Sequence, residues 1–299
     1  MLRALVGPTA SGKTDAALAL AQQLGAEIVS VDSMLVYRGM DIGTAKPTAA
    51  QRATVRHHLI DVAEPAERFT VARFQEAAAA VLATVATPLL AGGSGLYFRA
   101  VADELRFPPE DPAIRAALEA EADALGPEEL FGRLAAADPV AAERIDPANI
   151  RRTIRALEVI QITGSPFSEF AAAWERYDAS RVRVAGIRLD TESLDRRVRA
   201  RVATMMADGW IEEVRRLVDR GFGGWLTASQ AIGYAELAAH LDGRLALEEA
   251  MERTVKRTKQ LARRQMAWFR RDPRVRWFDA DDRGAVPLVE DIRTYLEAA

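Results

Sequence analysis

The sequence predicts an α/β protein with a parallel-sheet core, an all-helical insertion domain and a helical C-terminal part. The first observation behind this prediction is a glycine-rich loop between an apolar run and a segment of helical periodicity, at the start of the chain. The second is a change of texture between residues 108 and 180, where strand patterns vanish and proline and glycine separate short amphipathic helices. We therefore expect the core to comprise residues 1–107 and 181–299, and the insertion residues 108–180.

The first glycine-rich loop fits the pattern G-x-x-x-x-G-K-[ST] of the phosphate-binding loop (P-loop). It consists of Gly7, Pro8, Thr9, Ala10, Ser11, Gly12, Lys13 and Thr14. The apolar run Leu2 to Val6 predicts a buried strand before it, and the periodicity from Thr14 to Leu24 predicts a helix after it. In that context, backbone N–H groups and the helix N-terminus bind phosphate oxygens. Lys13 adds a charge, and the Thr14 hydroxyl suits Mg²⁺. The motif predicts a phosphate or diphosphate site without identifying the molecule.

A second strand, Glu27 to Val31, is expected to deliver Asp32 to the edge of the sheet where ligands bind. Position alone leaves three roles open for this carboxylate. It fits a cap or turn residue, an outer ligand of Mg²⁺, or a general base.

The segment Val36 to Pro47 has neither helical nor strand periodicity, which predicts a surface loop that faces the substrate. Its cations, Arg38 and Lys46, would then lie near anions. His57 to Val62 reads as a strand ending in an acid, and its adjacent histidines point to opposite faces, which favours structural roles for both.

Thr70 is expected to cap a helix that runs to about Val85. Pro88 to Ala91 predicts a further buried strand, which leads into Gly92 to Tyr97. This is a second junction of strand, glycine loop and helix, and a second place where the backbone can approach a ligand.

Inside the predicted insertion, Asn149 to Glu158 combines an apolar stripe with an arginine-rich face. Ile150, Ile154 and Leu157 form the stripe, and the arginines are Arg151, Arg152 and Arg155. The face is either simply solvated or in contact with phosphates.

The strand Val182 to Leu189 is expected to rejoin the sheet, and a helix with an arginine-rich first half follows it. Arg197 and Arg201 are four residues apart and share a face. Their mutual repulsion requires either an anion between them or flanking acids, for which Asp195 and Glu192 are available.

The stretch from Leu245 to Arg271 predicts one long helix with an apolar seam of Val255, Ala262, Met266 and Phe269. Its other faces are crowded with cations: Arg253, Lys256, Arg257, Lys259, Arg263, Arg264, Arg270 and Arg271, with Trp268 among them. This segregation indicates a track for a nucleic-acid backbone, with salt bridges to the rest of the protein as the alternative.

Composition limits the other possibilities. The 299 residues carry a formal net charge of −3, so a nucleic-acid surface must come from local clustering. The sequence contains no run of eighteen or more apolar residues, so no membrane span is predicted. The absence of cysteine fits a reducing cytoplasm. We expect a cytoplasmic protein without a signal peptide, and a monomer.

These residues allow three classes of function. One is a P-loop small-molecule kinase with the insertion as a lid, which the basic helix disfavours. Another is a nucleotide-switched RNA-binding protein, which the lack of a second nucleotide motif disfavours. The third is a group transferase that acts on RNA and releases diphosphate.

Several stretches together resemble the tRNA dimethylallyltransferase (tRNA isopentenyltransferase) family of bacterial type. They occur in the family's order: Gly7–Thr14, Ser30–Ser33, Val36–Pro47, His57–Val62, Gly92–Tyr97, Arg151–Glu158, Gln230–Tyr234 and Gln260–Arg270. The resemblance implies transfer of a dimethylallyl group from dimethylallyl diphosphate to N6 of the adenosine 3′-adjacent to the anticodon in tRNA, with Mg²⁺ and release of diphosphate.

The resemblance also implies roles for residues. The P-loop with Arg201 would bind the diphosphate, Thr9 would lie near the reacting centre, Asp32 would be the base, and Thr14 would bind the metal. Segments that would contact tRNA are Asp32, Ser33, Met34 and Leu35; Arg151, Arg152, Thr153, Ile154 and Arg155; and Gln230, Ala231, Ile232, Gly233 and Tyr234. The insertion would close over the anticodon loop.

Two positions depart from the family pattern. Ser94 stands where threonine is common but keeps the hydroxyl, so its role near the tRNA is expected to survive. Ala235 stands where a lysine or arginine is common, which removes one cation near the RNA.

Overall fold

A computed structural model describes residues 1–103, 105, 107–171 and 176–298, apart from the side chain of Ala171. The chain divides into two compact units. One unit comprises Met1–Glu104 with Asp178–Ala299, and the other comprises Leu105–Tyr177. Residues 172–175 of the predicted insertion lie outside the described part of the chain.

The first unit is built on a parallel sheet. Its strands are β1 (Leu2–Val6), β2 (Glu27–Ser30), β3 (His57–His58), β4 (Pro88–Gly92), β5 (Val182–Arg188) and β6 (Val275–Asp279). Within the described residues they lie in the order β3-β2-β4-β1-β5-β6, and every neighbouring pair is parallel. The predicted return of the chain to the sheet is therefore confirmed, since β5 pairs with β1.

The helices of this unit cover both faces of the sheet. They are α1 (Lys13–Leu24), α2 (Ala49–Thr54), α3 (Val71–Leu82) and α4 (Gly95–Ala102), followed after the second unit by the helices here numbered α10 (Thr191–Ala207), α11 (Trp210–Asp219), α12 (Tyr234–Leu241), α13 (Leu247–Phe269) and α14 (Val289–Glu297). Alternate residues of β1 enter different cores. Ala4 and Val6 face one side, and Leu5 faces the other, as the pleat of a strand requires.

The second unit contains helices and no strand among its described residues. Its helices are α5 (Pro112–Leu125), α6 (Pro127–Ala137), α7 (Pro139–Arg144), α8 (Ile150–Thr163) and α9 (Phe167–Ala171). They enclose a separate core around Leu118, Leu130 and Leu157. Proline opens α5, α6 and α7, where its missing N–H is of no consequence.

Local sequence signals set the ends of several of these helices and strands. Gly25 ends α1 with φ of 57°, and the Thr70 hydroxyl accepts from the Arg73 N–H at the start of α3. The prediction for His57 to Val62 is wrong beyond His58. Leu59 and Asp61 have φ values of 63° and 57°, in the left-handed region, which ends the strand.

Among the described residues, no helix is both long enough and apolar enough to cross a membrane.

Candidate active site

Three chain segments converge at the carboxyl edge of the sheet. The P-loop follows β1, Asp32 follows β2, and the second glycine loop follows β4. Because β4 pairs with both β1 and β2, and all three strands are parallel, their carboxyl ends are neighbours. The predicted junctions are thus brought together by the topology of the sheet.

The P-loop has the backbone shape that its motif predicts. Ala10 and Gly12 take left-handed conformations, with φ of 63° and 80°, and Gly12 is the residue before α1. The backbone of Ala285 also approaches Gly12 closely, since a Cβ at this position would lie 3.0 Å from the Ala285 nitrogen. The loop thus ends at the N-terminus of α1, which favours an anion.

The P-loop borders a cavity of about 470 Å³, a size that suits a small ligand. Its lining also includes Lys46 and Gln51 from the segment after β2, and Arg197 and Arg201 from α10. Three of the lining cations, Lys13, Arg197 and Arg201, have no ion pair among the described residues, so the cavity is a setting for an anion.

The two arginines of α10 are bonded differently. Nε of Arg197 donates to the Ala10 carbonyl oxygen (2.8 Å), and its Nη1 donates to that of Asp282 (3.0 Å). Arg201 makes no hydrogen bond or ion pair with the residues that the structure describes. The acids predicted to flank this pair have other partners, since Glu192 pairs with Arg196 and Asp195 with Lys259. Of the two alternatives that the sequence left open, flanking acids therefore do not neutralise this pair, and the charge of Arg201 remains available for a ligand.

Burial and neighbouring charges shape the electrostatics of Lys13. Burial lowers its pKa to about 8; the carboxylate of Asp32 opposes this shift, and Arg201 adds to it. Burial likewise lowers the pKa of Arg201, with Asp32 again opposing. An anion in the cavity would stabilise both charged forms.

Asp32 combines a structural contact with a free oxygen. Its Oδ1 accepts the N–H of Met34 (2.8 Å), which is the turn role that the sequence left open. Among the described residues, Oδ2 accepts no hydrogen bond, and the carboxylate influences both Lys13 and Arg201. The turn contact thus leaves an acceptor for a reacting group.

The loop after Asp32 is held firmly in place from α11. Glu213, only 2% exposed, accepts the N–H groups of Asp41 (2.9 Å), Ile42 (2.8 Å) and Gly43 (3.2 Å). Its Oε1 also accepts the hydroxyl of Tyr234 (2.6 Å). A buried carboxylate with four donors fixes the backbone of this loop beside the site.

The cations of this loop do not have the role predicted for them. Lys46 is buried and donates to Asp41 (2.5 Å) and Asp61 (2.6 Å), and Arg38 pairs with Glu64. The expectation that both cations would meet ligand anions is corrected, because side chains of the protein already neutralise them.

The segment Gln230 to Tyr234 contains both buried and accessible residues. Tyr234 and Ala231 are buried, and Gly233 begins α12 with φ of 90°. Gln230 is exposed and Ile232 half-buried. A contact of this segment with tRNA stays a prediction, and it would involve the backbone, Gln230 or Ile232 rather than the Tyr234 ring.

The predicted arginine face of α8 is divided within its own unit. Arg151 and Arg152 are exposed and have no ion pair among the described residues. Arg155 pairs with Glu158 (2.8 Å) and donates to the carbonyls of Pro108 and Pro109. The remaining members of the predicted segment, Thr153 and Ile154, are buried. Two solvated cations remain for a phosphate backbone.

The basic helix α13 is divided in the same way. Arg253 pairs with Glu249, Arg257 with Glu236 and Lys259 with Asp195. The salt-bridge alternative therefore holds for these residues. Cations without an ion pair among the described residues are Lys256, Arg263, Arg264, Arg270 and Arg271, all exposed. We call the last four the α13 track.

Gln265 belongs to the site, although the sequence pattern assigned it no role. Its Oε1 accepts the N–H of Thr9 in the P-loop (2.8 Å). The available signal was a polar residue beside the apolar seam of α13, between Ala262 and Phe269. Ser94, by contrast, precedes α4 without a side-chain capping bond, so its hydroxyl remains available to a ligand.

The sequence and the fold of this chain are similar to those of known proteins. The model of the IPP transferase family matches residues 35–272. A tRNA dimethylallyltransferase of Nocardioides sp. is 51% identical over 95% of this chain and 92% of its own. That of Kineococcus radiotolerans is 49% identical over 96% and 93%.

Solved structures show the same fold. A full-length tRNA isopentenylpyrophosphate transferase from Bacillus halodurans has a TM-score of 0.70 and 40% identity, over 99% of this chain and 96% of that one. A eukaryotic dimethylallyltransferase acting on tRNA has a TM-score of 0.78 over 94% of this chain and 74% of that one. At 23% identity, this second likeness supports the fold alone.

Proposed function

This chain belongs to the IPP transferase family, and we propose that its site transfers the dimethylallyl group of dimethylallyl diphosphate to tRNA. The acceptor is N6 of the adenosine 3′-adjacent to the anticodon. The observation that carries this proposal is that parallel strand pairing brings Asp32, after β2, to the same sheet edge as the P-loop, after β1. There its charge opposes the lowering of the pKa of Lys13 and Arg201 by burial. A base then lies beside a diphosphate site.

In the reaction, the N6 lone pair attacks C1 of the dimethylallyl group. The bond from C1 to oxygen breaks, and diphosphate leaves with its electron pair. The exocyclic amine is a weak nucleophile because its lone pair is delocalised into the ring, so a base that takes its proton assists the attack. The free oxygen of Asp32 suits that role, and Lys13 and Arg201 stabilise the charge on the departing diphosphate.

Mg²⁺ fits the residues at this site. The described residues contain no cluster of three or more acidic or histidine side chains for a metal. Magnesium usually takes many of its ligands from substrate phosphates and water, so a single exposed hydroxyl at Thr14 is an adequate protein contribution. When bound, the ion would neutralise charge on the diphosphate oxygens.

The acceptor must leave its stack to reach such a site, as other enzymes that act on bases require. The α13 track and the exposed arginines of α8 supply cations for the RNA backbone. A tRNA acceptor and the absence of cysteine both support a cytoplasmic location. Closure of the insertion over the anticodon loop and the monomeric state stay predictions.

The test combines purified protein, Mg²⁺, dimethylallyl diphosphate and an unmodified anticodon stem-loop that carries the adenosine. Mass spectrometry should show one added prenyl group at that adenosine. A stem-loop with guanosine at this position should remain unmodified, and Lys13→Ala should abolish the product. If no prenyl group is added but the protein hydrolyses ATP or transfers phosphate from it, the result would instead support a kinase or a nucleotide-switched RNA-binding protein.

A further inference from the structure

Gln265 connects α13 with the P-loop by a direct hydrogen bond. Its Oε1 accepts the N–H of Thr9 at 2.8 Å. In a P-loop, backbone N–H groups generally serve the phosphate. The Thr9 N–H already has an acceptor from the protein, so the other amides of the loop must serve the ligand. The contact therefore holds the Thr9 amide on the protein and leaves the other amides of the loop for the ligand.

The side chain of Gln265 has little freedom. A Cβ at Gly93 would lie 2.5 Å from its Nε2 and 3.1 Å from the Gly7 carbonyl oxygen, so the amide lies against both glycine loops. One turn further along α13, the Trp268 ring covers Gly95 so closely that a Cβ there would clash. Two successive turns of α13 are thus packed on the loops that follow β1 and β4.

The same peptide unit is held at its other end by Lys13. Its Nζ donates to the Pro8 carbonyl oxygen at 3.2 Å, and this carbonyl belongs to the peptide whose N–H is that of Thr9. A peptide unit is planar, so the direction of its N–H sets the direction of its C=O. Gln265 therefore orients the carbonyl that holds the Lys13 ammonium.

We propose that Gln265 is a positioning residue of the diphosphate site. Through the peptide between Pro8 and Thr9, it keeps the Lys13 ammonium aligned with the cavity. The proposal deepens the proposed function, and rests on it only in taking a diphosphate as the ligand.

The test uses the whole chain and inorganic pyrophosphate with Mg²⁺, so that no prenyl transfer is needed. Gln265→Leu removes the acceptor at nearly constant size. We expect pyrophosphate affinity, measured by calorimetry, to fall roughly tenfold, because the misaligned loop loses about one charge-assisted hydrogen bond. Hydrogen exchange at the backbone amide of Thr9 should become faster. Affinity for the stem-loop should change less than about twofold, because the α13 track is retained.

Two further variants sharpen the result. Gln265→Glu keeps an acceptor oxygen, so exchange at Thr9 should stay slow in this variant. Gln260→Leu makes the same side-chain change at an exposed position of α13 and should alter no measurement. Equal losses of pyrophosphate and stem-loop affinity in Gln265→Leu, or fast exchange in Gln265→Glu, would overturn the positioning role. Unchanged pyrophosphate affinity in Gln265→Leu would overturn it as well.

Failure of the proposed function gives a different pattern. The wild-type protein would then add no prenyl group to the stem-loop, while the exchange at Thr9 and the binding of pyrophosphate still report on Gln265.

Discussion

Arg197 and Arg201 lie one turn apart on α10 and line the same cavity, but among the described residues only Arg197 has hydrogen-bond partners. Arg197 donates to the Ala10 and Asp282 carbonyls and so braces the P-loop. Arg201 keeps its guanidinium free of described partners. Adjacent positions on one helix face thus differ: Arg197 holds the P-loop, and Arg201 keeps a charge at the cavity that no described residue pairs.

Arg201→Met should weaken pyrophosphate binding about tenfold to a hundredfold, because one charge-assisted contact is lost. The melting temperature should change little, since no described protein bond is removed. Calorimetry and thermal unfolding measure the two effects. Arg199→Met is the matched control, because Arg199 lies on the same helix and pairs with Glu252 at the surface. Equal weakening by both variants would refute the assignment.

Asp32→Asn should reduce the single-turnover transfer rate by about a hundredfold or more, because the base is lost. Its Oδ1 still accepts the Met34 N–H, so the turn should survive. Stem-loop affinity should therefore stay within about twofold, as measured by fluorescence anisotropy. Asp32→Ala should lose turnover too, with little change in tRNA binding. Comparable losses of rate and affinity would show that Asp32 is structural or binds RNA instead.

The affinity for tRNA should fall steeply with salt through the α13 track. Each phosphate contact contributes roughly 0.7 to 0.9 to the slope of log affinity against log salt. Replacing Arg263 and Arg264 together by alanine should therefore reduce this slope by about 1.5. Arg253→Ala serves as the control, because Glu249 already neutralises that cation. A flat profile in the wild-type protein would remove α13 from the interface.

Asp61 should make stability depend on pH in the acid range. Burial tends to raise its pKa, but hydrogen bonds from Lys46 and Arg52 outweigh this and lower it below the usual 3.8. Its stabilisation is therefore present above pH 3.8 and disappears as the pH falls through the lower pKa of the folded state. Asp61→Asn should destabilise the protein by about 2 kcal/mol at neutral pH.

Urea unfolding of both proteins over this pH range measures the difference. The gap between wild type and Asp61→Asn should narrow as acid protonates Asp61. Glu76→Gln, at an exposed position, is the control and should show no such gap. A gap that is constant with pH would mean that the ionised carboxylate is not what stabilises the loop.

Tyr234→Phe should affect stability rather than RNA binding. The ring is buried, and its hydroxyl donates to Glu213 at 2.6 Å. Loss of this bond should destabilise the fold by about 1 kcal/mol, while stem-loop affinity remains the same. Gln230→Ala, at the exposed end of the same segment, should lower that affinity if the segment contacts tRNA. A drop in affinity for Tyr234→Phe without a loss of stability would contradict the buried role.

Local sequence patterns were sufficient to predict most of the strands and loops at the carboxyl edge of the sheet. The glycine loop before α1, the cap at Thr70 and the apolar runs of β1 and β4 depend on neighbours in the chain. Parallel pairing then brings the strand ends together, so Asp32 and the P-loop could be expected at one edge. The turn at Leu59 was missed, because a non-glycine residue with positive φ has no clear pattern.

The fold class, the P-loop and the concentration of cations on α13 follow from the residues and their order alone. Only the folded chain shows which of those cations are neutralised, which arginine of α10 has no described partner, and that Gln265 and Glu213 hold the loops of the site. The physical reason is the range of the interactions. Helix caps and apolar periodicity act within a few residues, whereas ion pairs and buried hydrogen bonds join residues that only the completed fold brings within about 3 Å.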